Sequence, residues 1–242
     1  MKFSFIILSI LFLCGCRSIT RTTADFIMPP NTVIFSFDDG PNPVDDTTVR
    51  LLDVLKKYEV KALFALFGDR SEDRPDLVRL IYNEGHFIIN HGYSDKHSKK
   101  MNDDEFRDNL IRGGEAIFAA LEKELEYKMY RPHGGFYNSR QLEICLEEGY
   151  TIIPANIRVY DAVVTGRNQK IVSMRVINKV SRKNRGIILL HDARDSHERT
   201  AEMLDKNRNV YDRSWIPETV EEIIIALLAK GYIIGSPELI KK

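Results

Sequence analysis

Residues 32–42 read TVIFSFDDGPN, and the passage from an apolar run into paired acids frames the rest of the chain. Thr32 to Phe37 are strand-forming, and Asp38-Asp39-Gly40-Pro41 ends that strand in a tight turn. Two adjacent carboxylates at a strand end repel each other unless a cation or a cationic side chain neutralises them. The turn is therefore also the first candidate for chemistry.

Outward from it the same alternation repeats. Strand-like runs occur at VKALFALF (60–67), HFIIN (86–90), KMYRP (128–132), YTIIPAN (150–156), GIILLH (186–191) and YIIGS (232–236). Amphipathic stretches separate them at 47–58, 76–84, 103–125, 140–148, 170–183 and 217–230. Gly85, Gly149 and Gly231 stand where helices should stop, because glycine adopts the left-handed cap at little cost. Seven strands alternating with helices predict one α/β domain with a mainly parallel sheet. An open doubly wound sheet and a closed barrel both fit the pattern, and both collect reactive groups at the carboxyl ends of strands.

Those ends are rich in candidates. The third strand runs into Asn90-His91-Gly92-Tyr93-Ser94-Asp95-Lys96-His97. His91 with Asp95 or His97, joined by a carboxylate of the first strand, offers a facial ligand set with open positions for a divalent metal. The fourth strand leads to Arg131-Pro132-His133-Gly134-Gly135, and the sixth delivers His191-Asp192 where a buried run meets solvent.

Taken together and in order, these residues resemble the NodB-type polysaccharide deacetylases, carbohydrate esterase family 4. SFDDGPN, NHGYSDKHSKKM, YRPHGGFYN and GIILLHD stand for four of the family's motifs, and the resemblance extends over roughly residues 32–240. It implies a distorted (β/α) barrel of about seven strands and a metal-dependent hydrolysis of N-acetyl groups. By resemblance, Asp39 and His91 are metal ligands, Asp38 is the general base paired with Arg131, and His191 is the general acid oriented by Asp161. A backbone N–H near Gly134 would help hold the oxyanion. Zinc is the expected metal, with cobalt or manganese as alternatives.

Three motifs depart from the family's usual text. Asp95 occupies the place of the second motif's later histidine, so position makes it the expected third ligand, with His97 as the alternative. His133 and Gly134 replace a proline and an aromatic, so His133 either faces the site or is an ordinary loop histidine. Ala162 replaces a tryptophan beside Asp161; the polar segment 193–216 either supplies replacement contacts through Tyr211 and Trp215 or is a surface loop.

The N-terminal residues carry an expectation about location. MKFSFIILSILFLCGC (1–16) has Lys2 before an apolar run too short for a membrane span, followed by a sequence resembling a bacterial lipobox. The expected organisation is a signal peptide at 1–15, a lipidated Cys16 with a linker to 31, and the deacetylase domain at 32–242. Cys16 would tether the protein to a membrane of the cell envelope, an outer membrane being one possibility from Arg17. Cys145 is then a lone thiol at an apolar helical position, read as structural. Thirty-five basic residues balance 35 acidic ones, so no global field attracts nucleic acid, and none is expected as a partner. The leading function is de-N-acetylation of an envelope glycan such as peptidoglycan. The alternatives are a catalytically impaired glycan- or partner-binding lipoprotein and an O-deacetylase using the same residues.

Overall fold

The structure is a computed structural model that describes residues 28–194 and 212–240. The signal peptide, Cys16 and most of the linker lie outside the described residues, as does Tyr211. The opening run forms β1 (Thr32–Gly40), buried along its whole length because it is the middle of the sheet. It pairs in parallel with β2 (Leu63–Leu66) on one side and β7 (Gly186–His191) on the other. The sheet continues through β3 (Phe87–Asn90), β4 (Met129–Tyr130), β5 (Thr151–Ile152) and β6 (Ile157–Arg158) in the order β5-β4-β3-β2-β1-β7-β6. A short β8 (Ile233–Ile234) adds to the first residues of β1.

That order dictates the curl. β5 and β6 are the two ends of a seven-strand path, yet only residues 153–156 separate them in sequence. Seven strands laid flat would hold the end strands roughly 29 Å apart. The five-residue step from Ile152 to Ile157 reaches at most about 18 Å. The sheet therefore rolls into a half-barrel, open between β5 and β6, as expected for the fold class. The strand census differs from expectation at this seam. The run 150–156 is a strand only at Thr151–Ile152, with Pro154 interrupting it, and β6 is too short to carry a period.

Helices α1 (Thr47–Lys57), α2 (Gly68–Asp73), α3 (Pro75–Asn83), α4 (Asp103–Leu121), α5 (Ser139–Glu147), α6 (Gln169–Lys183) and α7 (Ile216–Ala229) cover the outside. Asn102 opens α4 with a reciprocal capping box to Glu105 at 2.9 and 3.0 Å. Alternation along β1 sorts its side chains. Val33, Phe35 and Phe37 pack outward on Leu51, Leu55, Ile223 and Leu227, while Ile34 faces inward with Leu63, Ile89 and Ile187. On the same inner face follow Ser36 and Asp38, so the barrel interior turns polar towards the carboxyl end of β1. Met28 is buried in the inner cluster, and Cys145 is buried on α5 with its thiol pushed up to about 12 by burial, as a structural cysteine should be. No described helix is long and apolar enough to cross a membrane.

Candidate active site

Adjacent residues of a strand point to opposite faces, which would keep Asp38 and Asp39 apart. The pairing of β1 with β2 slips between Asp38 and Gly40, leaving Asp39 as a bulge with φ of 68°. Aspartate tolerates this left-handed conformation better than most residues, and a bulge re-aims its side chain. Both carboxylates thus reach His91: its Nε2 lies 3.4 Å from Asp39 Oδ1 and 3.8 Å from Asp38 Oδ2. They differ in every other respect. Asp38 takes a hydrogen bond from Arg131, whose guanidinium also donates to Ser36 Oγ at 2.5 Å and to the Ile153 carbonyl at 3.0 Å. Asp39 has its backbone carbonyl held by the buried Arg70 of α2. Burial pushes the Asp39 carboxyl up, but the surrounding His91, His191 and His133 imidazoles outweigh it and hold the group well below the carboxylate range.

Two imidazoles face Asp39, and each is anchored from behind. His91 Nδ1 lies 2.7 Å from the Arg131 carbonyl, which fixes the proton there and leaves the Nε2 lone pair towards Asp39. His133, in the turn after β4, places Nε2 at 3.1 Å from Asp95 Oδ1 and Nδ1 at 3.8 Å from Asp39 Oδ1. Burial, the main cause, brings His133 down to about 3, so it is a neutral ligand-type imidazole. One donor atom each from Asp39, His91 and His133 lies within 4.8 Å of the others. This set differs from the expected one at one position: His133 is in it, and Asp95 sits on the far side of the His133 ring. Burial first, then the Asp39 charge, push the Asp95 carboxyl upward. His97 stacks edge-on to His133 with centroids 4.6 Å apart.

Does this cluster fit a divalent cation? His133 Nδ1 and His97 Nδ1 are buried without a hydrogen-bond partner. A buried polar atom left without a partner is costly, and a lone pair facing an ionised carboxylate is met by a cation. The acceptors behind His91 and His133 supply the outer-shell orientation that metal-binding histidines use. The residues fit.

Opposite stands His191 at the end of β7. Its Nδ1 is 3.0 Å from Asp161 Oδ1, and its backbone N–H donates to Asp161 Oδ2 at 2.9 Å. Burial lowers the imidazole, but Asp161 first, with Asp39 and Asp38 beyond, outweighs burial and pushes it up to about 9. Arg213, fully buried, donates to Asp161 Oδ2 (2.5 Å), to the Asp161 carbonyl (3.1 Å) and to the His191 carbonyl (3.0 Å). Asp38, Asp39, His91, Asp95, Arg131, Asp161 and His191 all line one cleft, with His133, Gly134 and Arg158. Trp215 is not among them; it packs in the outer core and donates its indole N–H to the Asp212 carbonyl. Sequence reading missed Arg213, which sits in a polar run with no period and meets a partner 52 residues earlier.

A curled (β/α) half-barrel thus gathers paired acids, an Asp–His–His cluster and a His–Asp pair at the strand ends of one cleft. The chain belongs to the polysaccharide deacetylase family, whose model matches residues 27–153. It is similar to a peptidoglycan-N-acetylglucosamine deacetylase of Bacillus cereus, 37% identical over 131 residues, 53% of this chain and 46% of that protein. The match thus spans under half the length of that relative. A second such deacetylase of the same organism is 26% identical over 72% of this chain and 78% of its own length. In structure, the Bc1960 peptidoglycan N-acetylglucosamine deacetylase superposes with a TM-score of 0.68 at 27% identity, covering 87% of this chain and 88% of that one. A family 4 pseudoenzyme of Bacillus anthracis shares the fold at 20% identity and a TM-score of 0.67, covering 87% of this chain and 65% of that one.

Proposed function

We propose that the protein removes N-acetyl groups from a glycan by hydrolysis assisted by a divalent cation held by Asp39, His91 and His133. The observation that carries this reading is the pair of back-anchored imidazoles whose remaining nitrogens face an ionised, bulged aspartate. The cation would polarise the acetyl carbonyl and acidify a water, zinc being the first candidate for a set of one carboxylate and two imidazoles. Asp38, kept as an ion pair with Arg131, takes the proton from the attacking water as general base. His191 carries its proton on Nε2, because Nδ1 is tied to Asp161, and delivers it to the departing sugar amine. Arg213 holds Asp161 and His191 in register without touching substrate. Asp95 bonds the outer nitrogen of His133 and sets its orientation.

Placement at the cell envelope, with Cys16 lipidated after loss of residues 1–15 and the domain at 32–242, belongs to the same proposal and rests on the sequence of residues 1–31. The peptidoglycan substrates named for the relatives make peptidoglycan the first glycan to assay. Acetate release from N-acetylated glycan strands, abolished by chelation and by Asp38→Asn, is the expected result. A folded, metal-retaining protein that binds glycan and releases no acetate would instead establish the impaired-binder alternative.

A further inference from the structure

The α6 side of the cleft carries charge that the catalytic groups leave unused. Arg158, the last residue of β6, lines the same cleft as Asp38 and His191. Its Nε donates to the Ala155 carbonyl at 3.3 Å, and among the described residues no carboxylate pairs with it within 4.0 Å. Its terminal nitrogens lie against the backbone of Gly135, where an added Cβ would come within 2.3 Å of Nη2. Glycine at that turn therefore makes room for the guanidinium. Arg131, by contrast, is committed to Asp38.

Behind Arg158 stands an unbalanced helix. α6 has five basic residues and no acidic one, in a chain whose 35 basic and 35 acidic residues cancel overall. Arg175 and Lys179, one turn apart, reach the carbonyls of Val159 and Arg158, so the basic face lies directly behind the cleft-lining segment. Burial and then the neighbouring Arg182, Lys183, Arg158 and Arg175 charges all push Lys179 downward, the signature of a repulsive basic cluster. The acid that meets α6 from α7, Glu222, is bonded to Ser173. Beside Arg158, Tyr160 is 71% exposed and also lines the cleft, offering an aromatic face of the kind on which a sugar ring packs.

We propose that Arg158, with Tyr160 beside it and α6 behind, is a subsite for a carboxylate-bearing sugar next to the N-acetylated residue being hydrolysed. The proposal rests on the deacetylase reading above. A single guanidinium with no carboxylate partner among the described residues matches a planar monoanion, and a carboxylate can take it bidentately. An anionic lipid surface is the competing source of negative charge; the position of Arg158 inside the cleft favours the glycan.

The test compares peptide-free peptidoglycan strands, whose lactyl carboxylates are free, with the same strands amidated by carbodiimide. The full chain should show kcat/KM roughly tenfold higher on the acidic strands, the size expected of one charged hydrogen-bonded contact, and added salt should shrink the preference. Arg158→Gln should erase the ratio, and Arg158→Lys should retain part of it. Equal rates on both strands by the wild type, or an undiminished ratio in Arg158→Gln, overturns the subsite. Co-sedimentation of metal-free protein with the strands reads the same contact without turnover. Binding to acidic strands that Arg158→Gln weakens, with no acetate released, upholds the subsite while refuting the deacetylase reading. Binding to phosphatidylglycerol vesicles and not to strands overturns the subsite in favour of lipid.

Discussion

Asp38 and Asp39 are neighbours in sequence with different partners, and the partners divide the work. Asp38 is locked to Arg131, whereas Asp39 faces two imidazole lone pairs. Asp38→Asn should therefore lower acetate release by about 10²–10⁴-fold, the usual share of a general base. It should also lower the melting temperature, because Arg131 stays buried without its counter-charge. His133→Ala should abolish stoichiometric metal retention in a chelator competition. Asp95→Asn, acting one shell further out, should weaken it roughly 10–100-fold. The reverse ranking would return the ligand role to Asp95. For His191 the sign follows from its job: a general acid works protonated, and a pKa raised to about 9 keeps it so through neutral pH. The rate should fall as pH rises through that value, and Asp161→Asn should move this limb down towards the ordinary histidine range near ~6.5. The acids and histidines at the ends of β1, β3 and β7 were legible because each ends an apolar run. His133 was not, since a histidine in a glycine turn carries no mark of which way it faces.

Among the elements, the bulge in β1 matters most to the site, and nothing in TVIFSFDDGPN announces it. Alternation alone would send Asp39 to the helix side. The helices were easier to read. Their apolar periods and the glycines after α3, α5 and α7 mark them, and those glycines have φ of 77–79° as a left-handed stop requires. α2 was missed because six residues, GDRSED, show no amphipathic period, although its Arg70 grips the Asp39 carbonyl. α4 braces the His91 turn from outside: Asn109 Oδ1 accepts from Tyr93 N–H at 3.0 Å, and the Leu110 carbonyl accepts from Asn90. Removing its cap by Asn102→Ala should cost about 1 kcal/mol in thermal unfolding. Because the cap lies at the first turn of α4 and those contacts seven residues further on, catalytic constants should change little.

At the scale of the molecule, alternation of strand and helix predicted a parallel α/β sheet and left open whether it closes. The four-residue link between β5 and β6 decides that, and it was hidden because two-residue strands are too short to show a period. The curl brings the ends of β1, β3, β4 and β7 around one cleft, so residues more than 150 positions apart share it. We propose that this cleft performs a cation-assisted deacetylation. The most direct test is acetate release by the full-length chain from peptidoglycan glycan strands, measured as purified, after chelation and after zinc is restored. Release that disappears on chelation and returns with zinc is the predicted result. Release unaffected by complete metal removal, or none from a folded and zinc-loaded protein, would contradict it.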